Sequence, residues 1–542
     1  MMEINLYKVN KNYGFKNLLN NFNLEIKTNE KVALIGSNGC GKTTILKLIA
    51  GLENPDLGEV FIRKGATIGF LTQLTNYNDE LVKDILYQGL EKELALKDKL
   101  SLYESKLSLV SGKKLDQVIN SYTKLQEEFA SIGGYELDTK ISKIMRAFNI
   151  DNNMLERKMS SLSGGEKTMV TFASIILSNP DILLLDEPTN YLDIERIEWL
   201  EKYLQNYNGT VIIVSHDRYF IDKIVNKTVL IERGKGEVFH GNYSYFLEEN
   251  EHQITLEFKA YNNQQKQIDA MKRKIKQLKA WGRQAAPVGE GFFKRAASIE
   301  KRLEKIEKLD KPLKKDVIPL SFKVGNKIGK DVLVIKNFSV SFNEKSILNN
   351  VSINVQYGEK ICLMGNNGSG KTTIIKEIIN NKSDSIKLGT GVIIGYVPQS
   401  LSFENEELSV IEEAKKYFNG LEQHLRAALC KFLFYEDNVF KKLKNLSGGE
   451  RVRIKLFCLI QSNCNLLIMD EPTNHLDVDT KEILESALED FEGTVLFVSH
   501  DRYFINKVAK KIFNIENKKI VTYHGDYDYY KEKISDYHDN VL

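Results

Sequence analysis

Two short words, each written twice at one offset, constrain this chain more than any other feature. Leu162-Ser163-Gly164-Gly165-Glu166 returns 284 residues later as Leu446-Ser447-Gly448-Gly449-Glu450. Asp186-Glu187-Pro188-Thr189-Asn190 returns at the same offset as Asp470-Glu471-Pro472-Thr473-Asn474. The apolar run Ile182–Leu185 reads as a buried strand that delivers Asp186 and Glu187 to its carboxyl end. An Asp-Glu pair there is how P-loop ATPases hold Mg²⁺ and poise a water. A Gly-Gly turn opening a helix offers backbone N–H groups to a phosphate. The chain therefore reads as two copies of one nucleotide-handling α/β unit.

Each copy carries its own phosphate cradle. The strand Val32–Ile35 feeds Gly36, Ser37, Asn38, Gly39, Cys40, Gly41, Lys42 and Thr43, and a helical run begins at Thr44. In the second copy the loop is Gly365, Asn366, Asn367, Gly368, Ser369, Gly370, Lys371 and Thr372, followed by Thr373. The pattern Gly-x-x-x-x-Gly-Lys-Thr between strand and helix is a P-loop in its proper setting. Its glycines let the backbone wrap phosphates, its lysine reaches the β- and γ-phosphates, and its threonine hydroxyl is placed for Mg²⁺.

Further matched positions surround the cradles. Tyr13 and Phe342 each stand 23 residues before the first P-loop glycine. Either ring suits stacking on adenine, or a half-buried strand position; the matched spacing favours stacking. Gln73 and Gln399 each end a short strand, where a neutral amide reaches Mg²⁺ or the attacking water. His216 follows Glu187 by 29 residues and His500 follows Glu471 by the same distance, both within Ser-His-Asp-Arg-Tyr-Phe. A lone His at a strand end is more often structural, but the matched spacing favours a role at the γ-phosphate for both, with Glu187, Glu471, His216 and His500 as the catalytic set and Asp186 and Asp470 as metal ligands.

Two segments break the symmetry. Gln73 to Ser163 spans 90 residues where Gln399 to Ser447 spans 48. The surplus, near 92–135, has Leu96, Leu100, Tyr103 and Leu107, then Leu115, Ile119, Tyr122, Leu125 and Phe129, at helical spacing around Ser111-Gly112. It reads as a helical hairpin, either decoration or a contact arm. Residues 248–315 belong to neither repeat. Ile268, Met271, Ile275 and Leu278 mark one helix of about 33 residues, roughly 50 Å long at ~1.5 Å per residue. Pro287, Gly289 and Gly291 break it, and Ile299, Leu303, Ile306 and Leu309 mark a returning helix. Domains of 1–247 and 316–542 flank this antiparallel hairpin, whose tip is 281–293.

Charge concentrates on that hairpin. Residues 258–315 hold 17 Lys and Arg against 6 Asp and Glu, although the whole chain is only +3. A solvated helix face is the bland explanation of such a run. Cationic flanks with aromatics at the turn instead suit a structured, phosphate-lined RNA. Trp281, Arg283, Phe292, Phe293, Lys294 and Arg295 are the contact residues this predicts. The five cysteines are scattered with no Cys-x-x-Cys pair, which fits a reducing compartment and excludes a disulfide framework. No run approaches the ~18–20 apolar residues of a membrane span, so a soluble, cytoplasmic protein is expected.

The tandem P-loops, the two Leu-Ser-Gly-Gly-Glu words, Asp-Glu-Pro-Thr-Asn-x-Leu-Asp and Ser-His-Asp-Arg-Tyr-Phe together resemble the ABC-F family over nearly the whole chain. The resemblance implies two P-loop ATP-binding cassette domains joined by an antiparallel helical linker. The two close head-to-tail within one monomer, each ATP lying between one P-loop and the opposite Ser-Gly-Gly turn. Lys42, Thr43, Gln73, Asp186, Glu187 and His216 would then act with Ser447, Gly448 and Gly449. Lys371, Thr372, Gln399, Asp470, Glu471 and His500 would act with Ser163, Gly164 and Gly165. The cofactors implied are ATP and Mg²⁺, and one small asymmetry is Tyr191 where the second half has His475.

Bacterial members bind the 70S ribosome at the tRNA exit site, against 23S rRNA, P-site tRNA and exit-site proteins. Their linker reaches towards the peptidyl-transferase centre. Some relieve stalled ribosomes; others protect against antibiotics, and the resemblance leans to this second group. Two other classes fit less well. An energy module of a membrane transporter has no use for a basic hairpin between cassettes. A DNA-repair ATPase would carry a zinc module or a coiled coil of hundreds of residues, so neither membrane nor DNA is an expected partner.

Overall fold

The computed structural model describes residues 2–14, 16–72, 79–107, 113–190, 192–284, 290–307, 309, 329–342, 345–366, 368–381, 383–399, 401–473, 476 and 478–539. They divide into two units, one over 1–242 and 319–542, the other over 243–318.

In the first unit each half builds a parallel sheet covered on both faces and a small antiparallel sheet. The first half has β1 (Met2–Tyr13), β2 (Lys16–Lys27), β3 (Lys31–Ile35), β4 (Leu57–Ile62), β5 (Ile68–Leu71), β6 (Ile182–Asp186), β7 (Thr210–Val214), β8 (Lys227–Glu232) and β9 (Lys235–Phe239). The main sheet runs β5-β6-β7-β3-β8-β9, parallel except for the β8–β9 hairpin, and the small sheet runs β2-β1-β4. Every residue of β6 and β7 is buried. Unbroken runs such as Ile-Leu-Leu-Leu are what a strand covered on both faces requires.

The second half repeats the plan with β10 (Asp331–Phe342), β11 (Lys345–Gln356), β12 (Lys360–Gly365), β13 (Ile386–Leu388), β14 (Ile394–Val397), β15 (Leu466–Asp470), β16 (Thr494–Val498), β17 (Lys511–Glu516) and β18 (Lys519–Tyr523). Its main sheet runs β14-β15-β16-β12-β17-β18. In both halves β3 or β12 lies beside the strand that carries Ser-His-Asp, and that strand lies beside the one ending in Asp-Glu. Pairing in this order carries three motifs, far apart in sequence, to one sheet edge.

The helices of the first half that frame the site and the insert are α1 (Lys42–Ile49), α2 (Glu91–Leu107), α3 (Lys113–Ser131), α4 (Gly164–Ser178), α5 (Ile194–Gln205) and α6 (Arg218–Ile224). The helices α2 and α3 pack around a small core of Leu96, Leu100 and Phe129, flanked by Tyr122 and Leu125.

The second unit is a hairpin of α7 (Tyr243–Gln284) and α8 (Glu290–Glu304). Its first helix has 42 residues, about 63 Å, against the 33 expected. The difference lies at both ends: buried Tyr243 and Phe246 belong to an apolar turn ahead of the periodic stretch, and Trp281 to Gln284, expected in the tip, continue the helix. The returning helix is shorter than expected: Ile306 and Leu309 lie beyond it, and Leu309 is exposed. Gln264 ties down the chain there, its Nε2 donating to Glu307 O at 2.8 Å and its Oε1 accepting from Leu309 N at 2.9 Å. Main-chain demand met by a side chain thus replaces the last helical turn. Ile275, Leu278 and Ala296 form the buried seam, with Phe292, Ile299 and Leu303 against it. Among the described residues no helix is long and apolar enough to cross a membrane.

Candidate active site

The phosphate cradle is shaped by a backbone that only glycine tolerates. Gly36 leaves β3 with φ 150°, and a Cβ there would stand 2.5 Å from Ile231 O and 2.8 Å from Cys40 Sγ. The loop then enters α1 through Gly41, and among the described residues no side chain caps this helix. Its first-turn amides stay available for an anion. Lys42 Nζ donates to the carbonyls of Gly36 and Ser37 at 2.7 and 3.0 Å. The second half enters α9 (Lys371–Asn380) in the same way, and Lys371 Nζ donates to Gly365 O and Asn366 O at 2.7 and 3.1 Å. Both ammonium groups thus lie curled over their own loops, within reach of whatever the loops enclose.

Opposite each cradle the Asp-Glu strand ends. Thr43 Oγ1 donates to Asp186 Oδ2 at 2.9 Å, and Thr372 makes the matching bond to Asp470. Glu187 and Glu471 follow at φ 52° and 49°. A left-handed glutamate in both copies is strain of the kind that collects at working sites. Each is fixed by its own N–H, which donates to Val214 O at 2.8 Å or Val498 O at 2.9 Å. The N–H of His216 donates to Glu187 Oε2 at 3.2 Å, and that of His500 to Glu471 Oε2 at 3.3 Å. Each imidazole Nε2 stands 3.4 Å from the same glutamate's Oε1.

Burial sets the electrostatics. Both glutamates are pushed from 4.5 up to about 7 by desolvation, and the aspartates before them are also raised. Burial, aided by Lys371, drops His500 to about 4, so its ring is neutral. A carboxylate near neutrality beside a neutral imidazole suits polarising a water for attack. Asp186 Oδ1, Glu187 Oε1 and Glu471 Oε1 are buried with no hydrogen-bond partner among the described residues. Buried carboxylate oxygens left this way fit a cation and its water. Thr43 with Asp186, and Thr372 with Asp470, would hold Mg²⁺, which when bound neutralises charge on the β- and γ-phosphates.

The Ser-Gly-Gly-Glu words are helix starts. Ser163 caps α4: its Oγ accepts from Glu166 N at 3.3 Å, while Glu166 Oε2 accepts from Ser163 N at 2.8 Å. Ser447 and Glu450 do the same for α10 (Gly448–Gln461). This reciprocal box leaves the amides of the two glycines at the helix mouth. The glutamate of each word is therefore a capping residue, a function its position three after the serine carries in sequence.

The halves meet through the Ser-His-Asp-Arg-Tyr-Phe segments and two further helices, α11 (Val478–Asp490) and α12 (Arg502–Val508). Fully buried Arg502 bonds Glu201 of α5, lies 3.6 Å from Asp217 and sits 4.4 Å above the Tyr219 ring. Arg218 reciprocates, 3.5 Å from Glu485, donating to Val478 O at 3.1 Å and lying 4.7 Å from the Tyr503 ring. Asp193 of the first half acts electrostatically on Lys371 and His500 of the second. A cavity of about 280 Å³ lies between them, lined by Glu187, His216, His500 and Asp501 among others. Sequence reasoning assigns only the histidines of these segments; the arginine two residues on, present in both copies, was the available signal.

The remaining expected residues separate into groups. Tyr13 ends β1, exposed, with its hydroxyl on Glu53 and Lys11 5.6 Å from its ring. Gln399 is exposed just past β14. Gln73, Asn367, Tyr191 and His475, and the Phe342 side chain, lie outside the described residues. In the hairpin unit Trp281 and Phe293 are exposed by 46 and 41%, leaving both rings open to a partner. Phe292 instead packs into the seam, edge-on to Trp281 at 6.1 Å. Lys294 pairs with Glu290 at 3.0 Å.

Residues 19–190 and 348–474 match a family model described as ABC transporter, and 229–322 match a second model of that description. The putative ATP-binding protein YdiF of Bacillus subtilis is 37% identical over 98% of this chain and 83% of its own. ABC transporter F family member 5 of Arabidopsis thaliana is 33% identical over 98 and 77%. The energy-dependent translational throttle protein EttA of Mycobacterium tuberculosis is 31% identical over 97 and 94%. Among solved structures, RNase-L Inhibitor shares the fold at a TM-score of 0.58, with 17% identity over 98 and 92%. Kinship over nearly the whole chain with F-family proteins, joined to two matches to the ABC transporter model, makes this chain a member of the ABC-F family and an ATPase that works with Mg²⁺.

Proposed function

We propose that this ATPase binds the 70S ribosome at the tRNA exit site, as a monomer whose cassettes close on ATP, each nucleotide lying between one P-loop and the opposite Ser-Gly-Gly turn. Its hairpin reaches P-site tRNA and the peptidyl-transferase centre and protects the ribosome from antibiotics bound there. The observation that carries this reading is the hairpin itself. It bears 17 Lys and Arg against 6 Asp and Glu over 258–315 and presents Trp281 and Phe293 near its turn. Cations along helical flanks neutralise phosphates, and exposed rings stack on unpaired bases. Arg283, Lys294 and Arg295 supply charge beside those rings.

A second reading, control of translation without drug protection, is favoured by the relative whose name is energy-dependent translational throttle protein. One experiment tests what both share. The Glu187→Gln/Glu471→Gln variant is sedimented with 70S ribosomes, with and without ATP. ATP-dependent pelleting is expected, because the variant closes on ATP and does not cleave it. Equal pelleting without ATP, or none, refutes the proposal. Growth of expressing cells across antibiotics that bind near the peptidyl-transferase centre then separates the two readings: protection supports the first, unchanged susceptibility the second.

A further inference from the structure

The two catalytic centres are nearly superimposable in sequence, yet among the described residues a lysine of one half reaches across to the other while its equivalent carries no charge. Lys481, on α11, is 5% exposed. Its Nζ donates to Asp501 Oδ2 at 2.6 Å in its own half and to the backbone carbonyl of His216 at 2.9 Å in the other. The offset of 284 that relates the halves puts Ile197 at the equivalent place on α5. Ile197 is buried, lines the same cavity and has no donor to offer.

The consequence is a difference between the two histidine segments. The His216 peptide is gripped at both ends: its N–H rests on Glu187 and its carbonyl on Lys481. The His500 peptide has the same N–H bond to Glu471, and the position equivalent to Lys481 is Ile197, which lines the same cavity and offers no amine. A lysine bridging Asp501 and a carbonyl of the opposite half draws one histidine loop towards the other, and does so in one direction only. The ammonium also contributes positive potential at Glu187.

We infer that Lys481 is a positioning residue that makes the two ATP sites unequal, holding the His216–Glu187 pair of the first site in place from the second cassette. Chemistry at the Glu187 site then depends on docking of the opposite half through this amine, whereas chemistry at the Glu471 site does not.

The test separates the sites and removes the charge that a simple truncation would strand. Glu471→Gln leaves the Glu187 site to report, and Glu187→Gln leaves the Glu471 site. In each background, Asp501→Asn is compared with Asp501→Asn/Lys481→Met in the full-length protein. The neutral Asn keeps an acceptor for the Phe504 N–H and leaves no buried carboxylate unpaired. Single-turnover formation of ADP is followed against ATP concentration. Adding Lys481→Met should slow the saturating rate at the Glu187 site by about tenfold, the size expected for one lost buried hydrogen bond. The ATP concentration for half-maximal rate should move less than twofold. At the Glu471 site the same addition should change the rate less than twofold, and Lys481→Arg, with Asp501 intact, should stay within about threefold of the parent. Equal losses at both sites, no loss at the Glu187 site, or a loss confined to ATP affinity would overturn the inference. If the Met pair loses its cooperative melt, Lys481→Gln with Asp501→Asn makes the same comparison, and the same rate changes support or overturn the inference.

Discussion

Replacing Glu187 by Gln should stabilise the nucleotide-free protein, and by an amount that depends on pH. Glu187 is 8% exposed, and burial lifts its carboxyl from 4.5 to about 7. The His216 N–H, Lys481 and Lys42 oppose that rise, while Asp186 adds to it. A carboxyl with a raised folded value binds more protons folded than unfolded between pH 4.5 and 7. Its contribution is therefore fully present below 4.5 and lost as pH climbs through 7. At pH 8 the ionised group costs roughly 3 kcal/mol, taking ~1.4 kcal/mol for each pH unit of displacement. Gln is neutral at every pH and still accepts the His216 N–H through its amide oxygen. In EDTA without nucleotide, the first-cassette melting transition of Glu187→Gln should therefore lie above that of the parent by roughly 6–12 °C at pH 8, at ~2–4 °C per kcal/mol for a domain of this size. The gap should close by pH 5. A gap of constant size from pH 5 to 8, or a less stable variant at pH 8, would refute the idea that this site is held at the expense of stability.

Two other outcomes follow from the same geometry. Arg502→Met should leave Asp217 without its arginine and Glu201 with Lys223 alone in a buried interface, at a cost of about 3–5 kcal/mol, and differential scanning calorimetry should show both cassette transitions lowered from those of the parent; unshifted transitions would contradict the packing. Shortening 285–291 in the hairpin turn should leave basal ATP hydrolysis within twofold and abolish the effect on translation; an unchanged effect would remove the turn from the mechanism.

How much of this is legible in the chain alone differs from residue to residue. Gly36, Lys42 and Thr43 are readable because a P-loop is local: the strand, the turn and the helix mouth are contiguous, and glycine is demanded by a backbone conformation rather than by distant neighbours. Ser163 and Glu166 are readable as a helix start for the same reason, three residues apart, although their reciprocal capping is seen only in the fold. The linker's period predicts its seam, but not that Phe292 joins it or that Gln264 ends the return. Periodicity reports which face is apolar and is silent on where main-chain hydrogen bonds are handed to a side chain.

By itself the sequence determined that the chain is a duplicated P-loop ATPase with a basic helical insert, because each of those properties is written in short words or a short period and repeated at a fixed offset. Only the tertiary structure decided how the copies are joined and made unequal. Arg502 meets Glu201 across 301 positions, Lys481 reaches His216 across 265, and Ile197 stands where its mirror image would be. A bond between residues so far apart has no local signature. It exists because the parallel strand order gathers the catalytic segments at one edge, and because burial there makes each remaining charge take whichever partner the opposite half presents.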